Sequence, residues 1–167
     1  MSELLEKLKS LLRVDEGERL KPYRDTQGHT TICDGFNLDA HPLSDEMASC
    51  LRLTGQLTHD MCETLLDITA RAAIKDCEEI FPHYAKWTLN RQAAVADFTF
   101  NVGERTVEHG FTSFFRALNA EDWQRAADEI KYVNGLTKAQ LSPYWIELHG
   151  DRPDSRPART YKMILEG

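Results

Sequence analysis

Apolar residues recur at helical spacing along most of this chain, and one short stretch near the start breaks the period. That contrast constrains the fold more than any other feature. Leu4, Leu5, Leu8, Leu11 and Leu12 fall on one face of a helix, and Gly17 is a natural stop beyond it. Thr58 to about Ile80 is the longest periodic segment. Its apolar members are Leu65, Leu66, Ile68, Ala72, Ala73 and Ile80, and Thr58 is suited to cap its start. "RQAAVADFTFNVG" is apolar on nearly every face, as expected of a buried central helix. Ser44 can cap a further helix that ends before Gly55. Short helices are expected at Phe111–Leu118, Glu121–Tyr132, Thr137–Leu148 and Pro157–Leu165.

The exception is "KPYRDTQGHTTIC". It reads as two extended runs around a turn at Thr26-Gln27-Gly28, a β-hairpin. The expected architecture is α+β, mainly α, with one small sheet near the start. At 167 residues the chain is the size of one domain.

Charge and cysteine content narrow the function. The net charge of −7 argues against nucleic acid, whose phosphates call for a basic stripe. No apolar run approaches the roughly 20 residues that cross a bilayer, so no stable membrane association is expected. The opening "MSELLEKLKSLLRVDEG" alternates apolar and charged residues, unlike a secretory signal. Cys33, Cys50, Cys62 and Cys77 form no CxxC pair and no Cys/His zinc spacing. They are expected as reduced thiols, and no metal site is expected.

Glu16 stands out among the charged residues. It continues the Leu5–Leu8–Leu12 stripe and lies at a helix C-terminus, where the dipole disfavours negative charge. Burial and dipole together would hold a proton on it, which suits a general acid. The alternative is a frayed last turn with the carboxylate in solvent. Asp25 at the hairpin and Thr31 on its returning strand are ordinary turn formers taken alone. Together with Glu16 they could place two carboxyl groups about one cleft, as glycoside hydrolysis requires.

"DEGERLKPYRDTQGHTTICDGFNLD" resembles the catalytic segment of the phage-type lysozymes, glycoside hydrolase family 24. Their pattern reads roughly EG-x-x-L-x-x-Y-x-D-x-x-G-x-x-TIG-x-GH. Glu16-Gly17, Leu20, Tyr23, Asp25, Gly28, Thr31-Ile32 and Gly35 match it without a gap. "FNVGERTVEHGFTSFFRALNAEDWQRAADEI" is similar to the family's C-terminal segment, through Phe100, Gly103, Gly110-Phe111 and Trp123. "SRPARTYKMI" is a weaker match to an arginine-rich helix.

The resemblance implies a lysozyme-like fold with a hairpin lobe at about 15–60, a connecting helix at about 58–80, and a helical lobe from 1–14 and 81–167. It implies Glu16 as general acid, with Asp25 and Thr31 holding and activating the water of an inverting reaction. Such a reaction needs carboxyl groups roughly 6.5–9.5 Å apart. Arg156 would pair with the acid, and Gly35, Phe36, Phe100 and Asn101 would line the substrate site. The substrate would be the MurNAc–GlcNAc β-1,4 bond of bacterial peptidoglycan, with no cofactor. The family's role further implies a monomer that accumulates in the host cytoplasm and depends on a holin for release to the wall in the periplasm.

Two positions depart from the pattern. Cys33 replaces a glycine, and Phe36 replaces a histidine as a hydrophobic substitute. Cys33-Asp34 admits three readings: neutral drift, altered catalysis through a like charge near Asp25, or redox control through Cys33, for which no partner thiol is evident. Two other functions compete with hydrolysis. One is an inactive wall- or partner-binding module. The other is a lytic transglycosylase, which uses one glutamate, makes an anhydro product and leaves Asp25 superfluous.

Overall fold

The computed structural model describes residues 2–25, 28–133 and 140–167. Its elements run α1 (Glu3–Glu16), β1 (Tyr23–Arg24), β2 (Thr30–Ile32), β3 (Phe36–Asn37), α2 (Asp45–Thr54) and α3 (His59–Ile80). A 3-10 turn at Tyr84–Lys86 leads to α4 (Leu89–Val102), α5 (Glu104–His109), α6 (Thr112–Asn119), α7 (Trp123–Lys131), α8 (Pro143–Glu147) and α9 (Arg156–Glu166). This is an α+β, mainly helical, lysozyme-like fold. No helix among the described residues is long and apolar enough to cross a membrane.

The chain divides into two compact units, one of Lys9–Arg71 and one of Met1–Leu8 with Ala72–Gly167. In the first, β1, β2 and β3 form an antiparallel sheet in sequence order. Tyr23 faces Thr31, and Ile32 faces Phe36. The hairpin follows the expected pairing; Thr26 and Gln27 of its expected turn lie outside the described residues. The third strand was not expected, because two residues carry no readable period. Ile32, Cys33, Phe36, Met47, Leu57, Cys62 and Leu65 form the core beneath the sheet. Caps set the helix starts. The Met47 N–H donates to Ser44 Oγ at 3.3 Å, and the Met61 N–H donates to Thr58 Oγ1 at 3.2 Å.

Four reduced thiols were expected, and the structure corrects this. Cys33 and Cys62 are joined in a disulfide, while Cys50 and Cys77 are not. The pair lies 29 residues apart, joining the β2–β3 turn to the first turn of α3. Motif spacing reads only local pairs, so it could not find this one.

Polar groups tie α1 to α3 in the same unit. Buried Lys9 holds Glu63 at 2.5 Å and Asp67 at 3.4 Å, and Arg13 also pairs with Glu63. Lys9 and then Arg13 lower the Glu63 carboxyl below its ordinary range. Along α3, Cys62, Leu66, Ala70, Ala73 and Cys77 make the buried stripe. Ile68 and Ala72, expected among the apolar members, point outward, with Ile68 53% exposed.

In the second unit α4 is buried from Ala93 to Thr99, as its all-round apolar sequence requires. Phe98 meets Phe111, Phe114 and Tyr144 edge-on, at centroid distances of 4.9–5.1 Å. Helices α4, α6, α7 and α9 pack through this core. Cys77 is buried with its thiol donating to Thr99 Oγ1 at 3.4 Å, and burial pushes its pKa up to about 12, so it is inert. The helix expected at Thr137–Leu148 begins only at Pro143; residues 137–139 of that expectation lie outside the described residues. Ser142 caps α8 and Pro143 occupies its first turn, where a missing N–H costs nothing.

Candidate active site

Glu16 is the last residue of α1, and the chain turns away through Gly17 at φ 67°. The helix therefore delivers the carboxylate at its end, half-buried. Beyond it, Arg19 and Cys33 exchange two backbone hydrogen bonds, at 3.3 and 2.8 Å. That pairing brings the β2–β3 turn alongside the helix end. A β-carbon built on Gly35 would lie 3.2 Å from Cγ, Cδ and Oε2 of Glu16. Gly35, at φ 83°, thus lets the Glu16 side chain lie against the turn, where a β-carbon would press on it and strain the backbone.

The same turn explains the glycine-to-cysteine departure. Cys33 has φ 55°, the left-handed region that glycine adopts without cost. Here a cysteine accepts that conformation and is cross-linked to α3 through it.

Asp25 and Thr31 meet across the hairpin. The Thr31 hydroxyl lies 3.5 Å from Asp25 Oδ2 and 3.3 Å from the His29 carbonyl. Asp25 Oδ1 accepts the His29 N–H at 2.8 Å, and Oδ2 lies 3.4 Å from His29 Nδ1. Thr31 is buried, while the Asp25 carboxylate keeps partial access to water. A partly hydrated carboxylate held at a turn beside a buried hydroxyl can orient and deprotonate a water molecule.

Tyr23 belongs to this group, and its role was not expected beyond the motif. Burial raises the pKa of its phenol, and then the Glu16 carboxylate raises it further. Arg19, whose guanidinium lies 4.3 Å from the ring centroid, opposes them, and Asp25 and Asp34 add to the rise. One phenol therefore senses all three acidic side chains. Tyr23 faces Thr31 in the strand register.

The remaining expected residues are distributed as follows. Phe36 is 5% exposed and packs in the core, with its ring 5.9 Å from that of His41. Asp34 is 4% exposed on the same turn. Phe100 and Asn101 are half-buried on the last turn of α4, in the other unit. Arg156 opens α9 in that unit, buried, with its Nε 3.4 Å from Asp97 Oδ1. No group of three or more histidine, cysteine or acidic residues among those described is placed to hold a metal ion.

A mainly helical α+β fold, with a glutamate at a helix end lying against the β2–β3 turn and an aspartate–threonine pair across the β1–β2 hairpin, defines a lysozyme-like protein. The phage lysozyme family model matches residues 13–142, and the chain belongs to that family. It is 27% identical over 143 residues to probable T4-type lysozyme 2 of Dictyostelium discoideum, covering 77% of this chain and 84% of the relative. Probable T4-type lysozyme 1 of the same organism is 24% identical over 145 residues, with the same coverage. The pre-baseplate central spike protein Gp5 of Enterobacteria phage T4 is 28% identical over 172 residues; the match takes in 94% of this chain and 27% of Gp5.

Proposed function

We propose that this protein is a peptidoglycan hydrolase, an N-acetylmuramidase that cleaves the MurNAc–GlcNAc β-1,4 bond by inversion. The observation that carries the reading is the placement of Glu16 against Gly35 in the unit that also holds the Asp25–Thr31 pair. Glu16 gives its proton to the glycosidic oxygen as the bond to the anomeric carbon breaks. Water, oriented by Thr31 and Asp25, attacks that carbon and yields its proton to Asp25. Each group then exchanges its proton with solvent, and no cofactor enters the balance. A transglycosylase would have no use for Asp25, so its pairing with buried Thr31 favours hydrolysis.

Asn101 and Phe100 are proposed as substrate contacts, and Arg156 as support for the acid. Host lysis is the proposed role, by a monomer released through a holin lesion to the periplasm. Membership of the phage lysozyme family supports this reading.

The test is reducing-sugar release from purified Gram-negative peptidoglycan in 18O-water. The native protein is expected to release reducing ends that carry solvent oxygen, and Glu16→Gln to lose at least about 100-fold in rate. Full activity in Glu16→Gln would remove the acid assignment. Anhydro ends without solvent oxygen would identify a transglycosylase.

A further inference from the structure

His29 touches both groups to which the proposed chemistry assigns the attacking water, and that chemistry gives its side chain no part. Its backbone N–H donates to Asp25 Oδ1 at 2.8 Å, and its carbonyl accepts the Asp25 N–H at 3.0 Å. The same carbonyl lies 3.3 Å from the Thr31 hydroxyl. The imidazole stands beside the second carboxylate oxygen, with Nδ1 3.4 Å from Asp25 Oδ2. Any residue with a backbone N–H could supply the main-chain contacts. Only the ring is particular to histidine.

The single proton of Thr31 shows what the ring can add. That hydroxyl has two acceptors in reach, the His29 carbonyl at 3.3 Å and Asp25 Oδ2 at 3.5 Å. If the proton goes to Oδ2, threonine and aspartate hold each other, and a water molecule must compete with that bond. If it goes to the carbonyl, a lone pair on Thr31 Oγ1 and one on Oδ2 remain for one water. A second donor on Oδ2 favours the latter arrangement, because it weakens Oδ2 as an acceptor for the threonine. The imidazole is placed to be that donor. Contacts of this length in a free enzyme tighten around the substrate.

We propose that His29 is a positioning residue for the hydrolysis: its ring donates from Nδ1 to Asp25 Oδ2 and leaves the Thr31 proton to the His29 carbonyl. This inference rests on the muramidase reading for its consequence, though not for the contact itself. With Oδ1 held by the backbone N–H and Oδ2 by the ring, the plane of the carboxylate is fixed. Water then donates one hydrogen to Oδ2 and the other to Thr31 Oγ1, which turns its lone pair to the anomeric carbon. The proton of the attacking water still passes to Asp25, and His29 ends with the hydrogens it began with. The ring is 46% exposed and the Asp25 side chain 30%, so a contact between them adds little to stability. Its loss belongs in the rate.

The experiment compares the native protein with His29→Ala and His29→Asn, the second carrying an amide nitrogen that can donate from near the place of Nδ1. Sugar release from soluble peptidoglycan fragments gives kcat and KM. His29→Ala is expected to lower kcat about ten-fold with KM within about two-fold and an unchanged thermal midpoint. His29→Asn is expected to recover most of the loss. Nitrogen-15 shifts of the His29 ring at about pH 9, where histidine is ordinarily neutral, show which nitrogen carries the proton. Nδ1 is expected in the native protein, with that preference lost in Asp25→Ala. A native kcat in His29→Ala, an asparagine variant as slow as the alanine, or a native ring protonated only at Nε2 would each overturn the inference. Absence of sugar release by the native protein would instead remove the muramidase reading, and the ring nitrogens would still decide the contact.

Discussion

The Cys33–Cys62 cross-link is the most consequential departure from expectation, and its removal is the sharpest test of the fold. Both cysteines are buried, so alanine is the suitable replacement, since it adds no polar group to the core. The pair closes a loop with a sequence separation of 29. For a loop of that length, chain entropy gives about 3.6 kcal/mol at 25 °C, from ΔS of roughly −12 cal/mol/K. For a chain of this size that corresponds to a fall in Tm of ~7–14 °C. The backbone supplies an internal control. Residue 33 sits at φ 55°, where alanine, like cysteine, costs about 1 kcal/mol that glycine does not. Cys33→Ala with Cys62→Ala should therefore lose about 3.6 kcal/mol, and Cys33→Gly with Cys62→Ala only about 2.6 kcal/mol. Thermal denaturation followed by circular dichroism measures both. Thiol titration in denaturant checks the premise: of the four cysteines, two should react before reduction and all four after it. Four reactive thiols before reduction would refute the cross-link. A double-alanine midpoint within about 2 °C of native would refute the loop-entropy argument.

Gly35→Ala places a methyl 3.2 Å from three Glu16 atoms at φ 83°, so it should cost about 1–2 kcal/mol and lower kcat at least about ten-fold. Gly28→Ala has a similar φ of 88° and open space around it, so it should lose stability alone; equal kcat losses in the two variants would refute this placement of Glu16. Asp34 also makes stability depend on pH. Its folded-state pKa lies above its ordinary value of 3.8, so its contribution is fully present below pH 3.8 and is lost as pH rises through the higher folded value. Asp34→Asn should therefore gain in Tm relative to native between pH 4 and pH 7; a gain that is flat or shrinks over that range would contradict the burial of an ionisable group there.

The capping residues and the hairpin were legible because their causes are local. Ser44 and Thr58 accept N–H groups three residues ahead, and Asp25 and Thr31 meet across a short turn. The third strand was not, since two residues define no period. Nor was the outward turn of Ile68, because helical spacing permits an apolar stripe without saying where a neighbour ends. Within its own unit Arg156 holds Asp97 on α4, a pairing between segments far apart in the chain that local spacing does not mark.

The sequence by itself determined the helices, the hairpin, and the delivery of Glu16 at a helix end with Asp25 and Thr31 beyond it, because each follows from hydrogen bonds and side-chain periods spanning a few residues. Only the tertiary structure decided which cysteines join, that Lys9 and Asp34 lie buried among carboxylates, and that Gly35 leaves room for Glu16. Those outcomes depend on segments far apart in the chain meeting at particular atoms, and the burial and electrostatics that follow have no counterpart in a one-dimensional pattern.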